Sequence, residues 1–157
     1  MKVLVIFYSR TGTTRKVAEA IGARCGAEIE QIRDARSRRG LLRGWWRSIR
    51  EVRRCSETQI LPTKKQAKDY DLVVLGTPVW ASSMSSPLRT WINRHRSALR
   101  QVAVFVTQNG RGGDKAIAQI TELCGVAPVA RLILNAKDLA SNDYERQLDK
   151  FVAGLSR

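Results

Sequence analysis

The chain has little of the chemistry that side chains can run unaided. Its 157 residues include one histidine and three cysteines. Cys25, Cys55 and Cys124 are odd in number, far apart and form no CxxC pair, which excludes a zinc site and a disulfide framework. They are expected to be ordinary reduced thiols in a cytoplasmic protein. His95 stands in "WINRHRSAL", where the pattern puts it on an exposed helix face. No Ser/His/Asp or Cys/His pairing and no cluster of metal ligands accompanies it. No apolar run approaches the roughly 20 residues of a membrane span. The N-terminus enters "KVLVIFYS" directly, so no secretory leader is expected. Acid is scarce: 14 Asp and Glu stand against 28 Lys and Arg, a net charge of +14. Such a balance favours anionic partners.

What is present is a globular pattern. Apolar residues make up 43%, enough for a single domain over residues 1–157 with a sizeable core. Near-continuous apolar runs occur at Val3–Tyr8, Leu72–Leu75, Val102–Val106 and Ala130–Leu134, with a weaker alternating run at Ala27–Ile32. Runs of this kind belong to strands buried on both faces, hence to a parallel sheet. Helical stretches lie between them. One spans Thr14–Cys25; another is capped at Ser85 or Ser86, with Pro87 in its first turn, and reaches about Leu99. A third covers Asp114–Cys124 and stops at Gly125; a fourth starts from Ser141 or Asn142. Five strands alternating with helices predict an α/β, doubly wound sheet with helices on both faces. Ligands of such sheets bind beyond the carboxyl ends of the strands.

Three loops at that edge stand out. The first, "SRTGTT" (Ser9 to Thr14), has four hydroxyl residues, a glycine, an arginine and no acid. At the start of a helix it offers N–H groups, hydroxyls and a positive helix end to an anion. A plain helix-capping turn is the alternative reading of these six residues. Neither GxxxxGK[ST] nor GxGxxG is present, so the triphosphate and dinucleotide loops are excluded. A phospho-receiver domain needs acids where Tyr8 and Ser9 stand. The second loop, "GTPVWASSMSSPLRTWI" (Gly76 to Ile92), carries small residues and Trp80 ahead of a capped helix. The third, "TQNGRGG" (Thr107 to Gly113), is nearly all turn residues. Together they suit a flat aromatic ligand with a phosphate tail.

Ser9-x-Thr11-Gly12-x-Thr14 after "VLVIFYS" resembles the phosphate loop of flavodoxins, and "TPVWASSMSSPL" resembles their isoalloxazine loop. The resemblance spans essentially the whole chain, in the short form without an insertion in the last strand. It implies a flavodoxin-like five-stranded parallel sheet of order 2-1-3-4-5 and flavin mononucleotide (FMN) as cofactor. By resemblance, Ser9, Arg10, Thr11, Gly12, Thr13 and Thr14 hold the phosphate. Thr77, Pro78, Val79, Trp80 and Ala81 line the ring, with Trp80 at the stacking position, and Gln108, Asn109 and Gly110 close the third side. The cofactor then carries the hard chemistry. The implied function is electron transfer, either as a one-electron carrier or as an NAD(P)H-dependent reductase of quinones or similar acceptors.

Two features depart from flavodoxins. "TQNGRGG" offers no second aromatic, which leaves one flavin face open unless Trp45 or Trp46 folds over it. An open face can receive a nicotinamide or quinone. The second departure is charge. Segment 33–54, "RDARSRRGLLRGWWRSIREVRR", holds nine arginines and two acids, a net +7 and half of the chain's +14. As a helix from about Leu41 it places Leu42, Trp45, Trp46, Ile49 and Val52 on one face and Arg43, Arg47, Arg50 and Arg54 along a separate line. Three readings remain: a crossover helix with solvated arginines; a dock for an acidic redox protein or a phosphorylated cofactor; a surface for nucleic acid or an anionic membrane. The last two admit a binding module without catalysis. Ser9–Lys16, Thr77–Asn93 and Thr107–Gly113 contain no acid but include Arg10, Arg15, Lys16, Arg89 and Arg111. Positive charge near a developing anion stabilises it, so the fully reduced flavin is expected at a less negative potential than in acidic flavodoxins.

Overall fold

Strand β1 (Val3–Tyr8) is buried at every position, and this two-sided burial organises the rest. The structure, a computed structural model, describes residues 1–36, 46–50 and 57–156. After β1 come α1 (Thr13–Cys25), β2 (Glu28–Ile32), β3 (Leu72–Trp80) and the two-residue β4 (Ser83–Met84). They are followed by α2 (Ser86–His95), β5 (Gln101–Gln108), α3 (Gly113–Cys124), β6 (Arg131–Asn135) and α4 (Asn142–Gly154). Residues 46–50 are also helical. Five strands form a parallel sheet in the order β2-β1-β3-β5-β6, and β4 pairs antiparallel with the end of β3. The expected topology is therefore present, with one short hairpin strand added.

Side-chain alternation sorts the strands into two cores. Leu4 and Ile6 of β1, Val73 and Leu75 of β3, and Val102 and Val104 of β5 face Leu88 and Trp91 of α2 and Ile117 and Ile120 of α3. Val5 and Phe7, Val74, and Ala103 and Phe105 face Val17 and Ile21 of α1 and Leu148 and Phe151 of α4. Each such aliphatic or aromatic side chain contributes about 1.5–3 kcal/mol on burial. Arg24 of α1 reinforces one face by pairing with Asp149 at 2.9 Å and with Glu145 of α4.

Local chemistry sets the ends of the elements. Gly125 closes α3 at φ 68°, its N–H reaching the carbonyls of Thr121 and Glu122. Ser85 and Ser141 occupy the N-cap positions of α2 and α4, but neither side chain makes the capping bond. The Ser85 hydroxyl lies 2.9 Å from Thr77 Oγ1, and Ser85 N–H donates to the same oxygen at 3.0 Å. That serine ties the loop after β3 to the strand. The helix expected to reach Leu99 ends at His95 and continues as a 3-10 turn over Arg96–Ala98.

His95 is half-buried rather than exposed: its ring stacks on Trp91 at 4.3 Å, with Nδ1 2.8 Å from the Trp91 carbonyl oxygen. Its place is structural. Cys25 and Cys124 are free thiols, as expected; Cys55 lies outside the described residues.

Burial pushes the Cys124 thiol up to about 11 from an ordinary 9.0. The native state keeps this proton over a range in which the unfolded chain has lost it, so stability falls as pH rises through that window. The difference in urea midpoint between the parent and Cys124→Ala should therefore shrink from pH 8.5 to pH 10.5. A difference that stays constant would show that Cys124 ionises alike in both states.

Candidate functional site

The carboxyl ends of β1, β3 and β5 bring the three loops together around a cleft of about 660 Å³. Arg10, Thr11, Thr13 and Thr14 line it from the first loop, Pro78, Val79, Trp80 and Ala81 from the second, and Gln108, Asn109 and Gly110 from the third. Eleven of the fourteen residues singled out in the sequence thus share one cavity wall. Ser9, Gly12 and Thr77 stand behind it, where they shape the loops.

The first loop is an open cradle of donors. Ser9 Oγ accepts the N–H of Gly12 at 3.1 Å and that of Arg15 at 3.4 Å. Gly12 takes φ 99°, a left-handed conformation that costs glycine nothing, and a Cβ there would meet open space. It is the N-cap of α1 and has no side chain to cap the helix; Ser9 Oγ serves the Arg15 N–H instead. The first turn holds Arg15 and Lys16 and no acid, an unfavourable charge for a helix start unless an anion sits there. The Arg15 guanidinium is bound by Gln31 Oε1, with Nε at 3.2 Å, and so lies over β2 rather than over the loop. Thr14 Oγ1 is buried and 2.8 Å from Thr107 Oγ1, a hydroxyl pair that locks the first loop to β5.

The second loop is a tight hairpin. Trp80 ends β3, Ala81 (φ 48°) and Ser82 (φ 60°) make the turn, and β4 returns with Ser83 opposite Trp80. Trp80 is half-buried, and the Tyr8 ring meets it edge-on at 5.4 Å and 86°. Tyr8 is itself held by a 2.8 Å bond from its hydroxyl to Asp34 Oδ2. Thr77 is fully buried beneath this turn. The third loop closes on itself through Gln108, whose Oε1 accepts the Gly113 N–H at 2.8 Å and whose Nε2 donates to the Gly110 carbonyl at 2.9 Å. Gly112 (φ 107°) lets this loop approach the hairpin: a Cβ there would stand 2.7 Å from Ser82 Cα.

Six lining residues were not singled out: Ser48, Ile49, Ser82, Thr107, Arg111 and Ala136. Ser82, Thr107 and Arg111 lie inside the loop stretches already read as unusual. Ser48 and Ile49 come from the arginine-rich segment, and nothing local in the sequence places them beside the first loop. Among the described residues of the lining, Arg10 and Arg111 carry the only charges and no carboxylate occurs. Arg89 is not among the lining residues; its guanidinium lies 3.5 Å from Ser83 Oγ. Trp46, expected on an apolar face, is 63% exposed and is not part of the cleft wall. Leu42, Arg43, Trp45, Val52 and Arg54 lie outside the described residues.

A family model described as flavodoxin matches residues 2–152. The chain belongs to the flavodoxin family. A sequence search of the curated proteins finds no match. Among solved structures, a flavoprotein from Lactobacillus acidophilus NCFM, crystallised in complex with FMN, superposes with a TM-score of 0.75 at 19% identity. That match covers 96% of this chain and 97% of the other. Oxidised flavodoxin 1 from Bacillus cereus gives 0.60 at 17% identity over 100% and 99% of the two chains. The flavodoxin of Streptococcus pneumoniae TIGR4 gives 0.64 at 11% identity over 99% and 98%. At these identities the likeness is one of fold.

The Thr14–Thr107 pair separates two kinds of threonine in the first loop. Thr14→Ala should destabilise the cofactor-free protein by about 1 kcal/mol, since it strands a buried hydroxyl. Thr11→Ala, at an exposed position, should stay within about 0.5 kcal/mol. Urea midpoints measured without cofactor check both, and equal effects would remove the pair as the tie between loop and strand.

Proposed function

We propose that this flavodoxin binds FMN in the 660 Å³ cleft and acts as a redox protein, taking electrons from a reduced nicotinamide and passing them to a quinone or a similar acceptor. The observation that carries the reading is the cleft wall: an acid-free donor cradle at the start of α1 beside a half-buried tryptophan.

The residues present fit this cofactor. The cavity size lies within the roughly 300–1,000 Å³ typical of small-ligand sites. A phosphate dianion at the first loop would meet the Thr11 and Thr13 hydroxyls, the Thr13 and Thr14 N–H groups at the start of α1 and the Arg10 guanidinium, and would relieve the charge imbalance of that turn. A flat ring would pack on Trp80 and against Pro78, Val79 and Ala81, with Tyr8 fixing the indole plane from its edge. Bound there, FMN supplies one- and two-electron chemistry. The chain's own part is to orient the ring, exclude water from the Trp80 side and set the local field. Thr107–Gly113 brings no aromatic, so this loop supplies no second stacking ring, which favours access of donor and acceptor to the flavin. Thr14, Thr77, Ser85 and Gln108 act as positioning residues, each spent on a loop bond.

Cofactor-free protein should therefore quench FMN fluorescence on titration and turn yellow. Thr11→Ala should weaken this binding by about 1–3 kcal/mol, the worth of a hydrogen bond to a charged group. A chain that leaves FMN fluorescence unchanged would end the flavin reading.

The field gives a second expectation. With Arg10 and Arg111 as the only charges among the described lining residues, the potential at which bound FMN takes its second electron should be less negative than in acidic flavodoxins. Dye-coupled redox titration measures it. A very low second potential would favour a one-electron carrier over the reductase.

A further inference from the structure

Beside the cleft lies a second concavity, of about 360 Å³, lined by Arg36, Arg47, Arg50, Glu57, Thr58 and Gln59. We infer that this arginine pocket binds the phosphate groups of a phosphorylated nucleotide, and that the electron donor of the proposed reaction is of the 2′-phosphorylated dinucleotide class. This specifies the donor in the proposed function and rests on that reading.

The pocket is built on fixed backbone. Where the chain leaves β2 and where it returns, two arms run antiparallel through the Asp34–Ile60 bridge. Ala35 N–H donates to the Gln59 carbonyl at 3.0 Å and Leu61 N–H to the Arg33 carbonyl at 2.8 Å. Thr58 is pinned to α2 from both sides: its N–H donates to Thr90 Oγ1, and that hydroxyl donates to the Thr58 carbonyl, each at 3.0 Å. Arg47 crosses between the arms, with Nη2 3.1 Å from Thr58 Oγ1 and Nη1 3.4 Å from the Arg36 carbonyl. Arg36 and Arg50 are exposed at the rim. Among the described residues the lining gathers three guanidinium groups and one carboxylate, Glu57, which is bonded by Asn93 Nδ2. Planar forks converging on a small concave site match phosphate oxygens; an acidic protein surface would call for a broad, convex face.

The position of the pocket points to a ligand that spans two sites. Arg47 and Arg50, three residues apart, fall on one side of the helical turn 46–50, and Ser48 and Ile49, on the other, line the flavin cleft. The turn 46–50 stands between the two concavities, and a helix with its side chains is about 10–12 Å thick. A dinucleotide has the length to cross it.

Isothermal titration of the purified chain, after its FMN content has been measured, tests the pocket with NADP⁺ and NAD⁺ as probes. Their oxidised forms bind without turnover. NADP⁺ should bind at least about tenfold more tightly than NAD⁺, and Arg36→Gln and Arg50→Gln should each erase that preference while leaving NAD⁺ affinity and FMN content unchanged. Equal affinities for NADP⁺ and NAD⁺, or a preference that survives both arginine substitutions, would overturn the proposal. So would a polyglutamate peptide or a short single-stranded oligonucleotide that binds in an Arg36- and Arg50-dependent way where NADP⁺ does not. The pocket shares no lining residue with the flavin cleft. NADP⁺ selectivity in a chain that holds no FMN would therefore sink the proposed function and leave the pocket standing, and FMN binding without selectivity would do the reverse.

Discussion

Burial of β1, β3 and β5 on both faces is the constraint on which the other features rest. Leu4, Val5 and Ile6, Val74 and Leu75, and Val102 through Val106 are completely removed from solvent, alternately toward the two helical layers. Strands buried in this way pair in parallel, and parallel neighbours need a crossover each time. All their carboxyl ends therefore lie at one edge, and the loops that leave them meet. The Pro78–Thr107 register and the Thr14–Thr107 hydroxyl pair then hold the first, second and third loops around one cavity. The cleft follows from the packing of the sheet; its chemistry follows from which residues the loops carry.

Those residues make a donor-rich, carboxylate-free wall. The start of α1 is left with Arg15 and Lys16 and no acid in its first turn, a sequence that weakens an isolated helix. A bound dianion would convert this liability into attraction. The arrangement is economical in hydroxyls: Thr11 and Thr13 line the cavity, whereas Ser9 is consumed within the first loop and Thr14, which also lines the cavity, Thr77 and Ser85 are consumed in ties between loops and strands. Removing a hydroxyl of the first group changes what the cleft can hold. Removing one of the second changes where the loops stand.

Much of this was legible in the sequence, for a physical reason. Strand and helix periods are local, so β1 and the end of α3 at Gly125 are read correctly from a few residues each. The loop chemistry was legible because its composition is unusual: no acid, many hydroxyls, clustered glycines. Contacts made through the fold were not. The Thr14–Thr107 bond joins residues 93 positions apart, and it makes a presumed ligand group into a structural tie. His95 was read as exposed because its helical phase does not reveal that it stacks on Trp91 one turn earlier. Arg15 and Arg89 were counted with the charges of the site, yet Gln31 and Ser83 hold them elsewhere. The arginine-rich segment was the least legible: Ser48 and Ile49 reach the cleft, and Trp46, grouped with an apolar face, is open to solvent.

The Ala81–Ser82 turn shows how the site is kept in place at a cost to stability. Left-handed backbone costs a residue with a side chain roughly 1–2 kcal/mol, and two-residue hairpin turns of this hand prefer Asn-Gly or Gly-Gly. Here both positions carry a Cβ at positive φ. Two sets of contacts offset the strain. Ser83 Oγ donates to Gln119 Oε1 at 2.5 Å, and Met84 N–H reaches the same oxygen at 3.3 Å, so α3 anchors the returning strand. Gly112 yields the space that Ser82 occupies, since any larger residue would collide with its backbone. Relaxing the turn with Gly would remove the Ala81 methyl from the cleft wall and loosen the end of β3, where Trp80 stands. Local strain is thus retained where it holds an aromatic surface rigid at the mouth of the cavity, and the fold compensates for it one helix away.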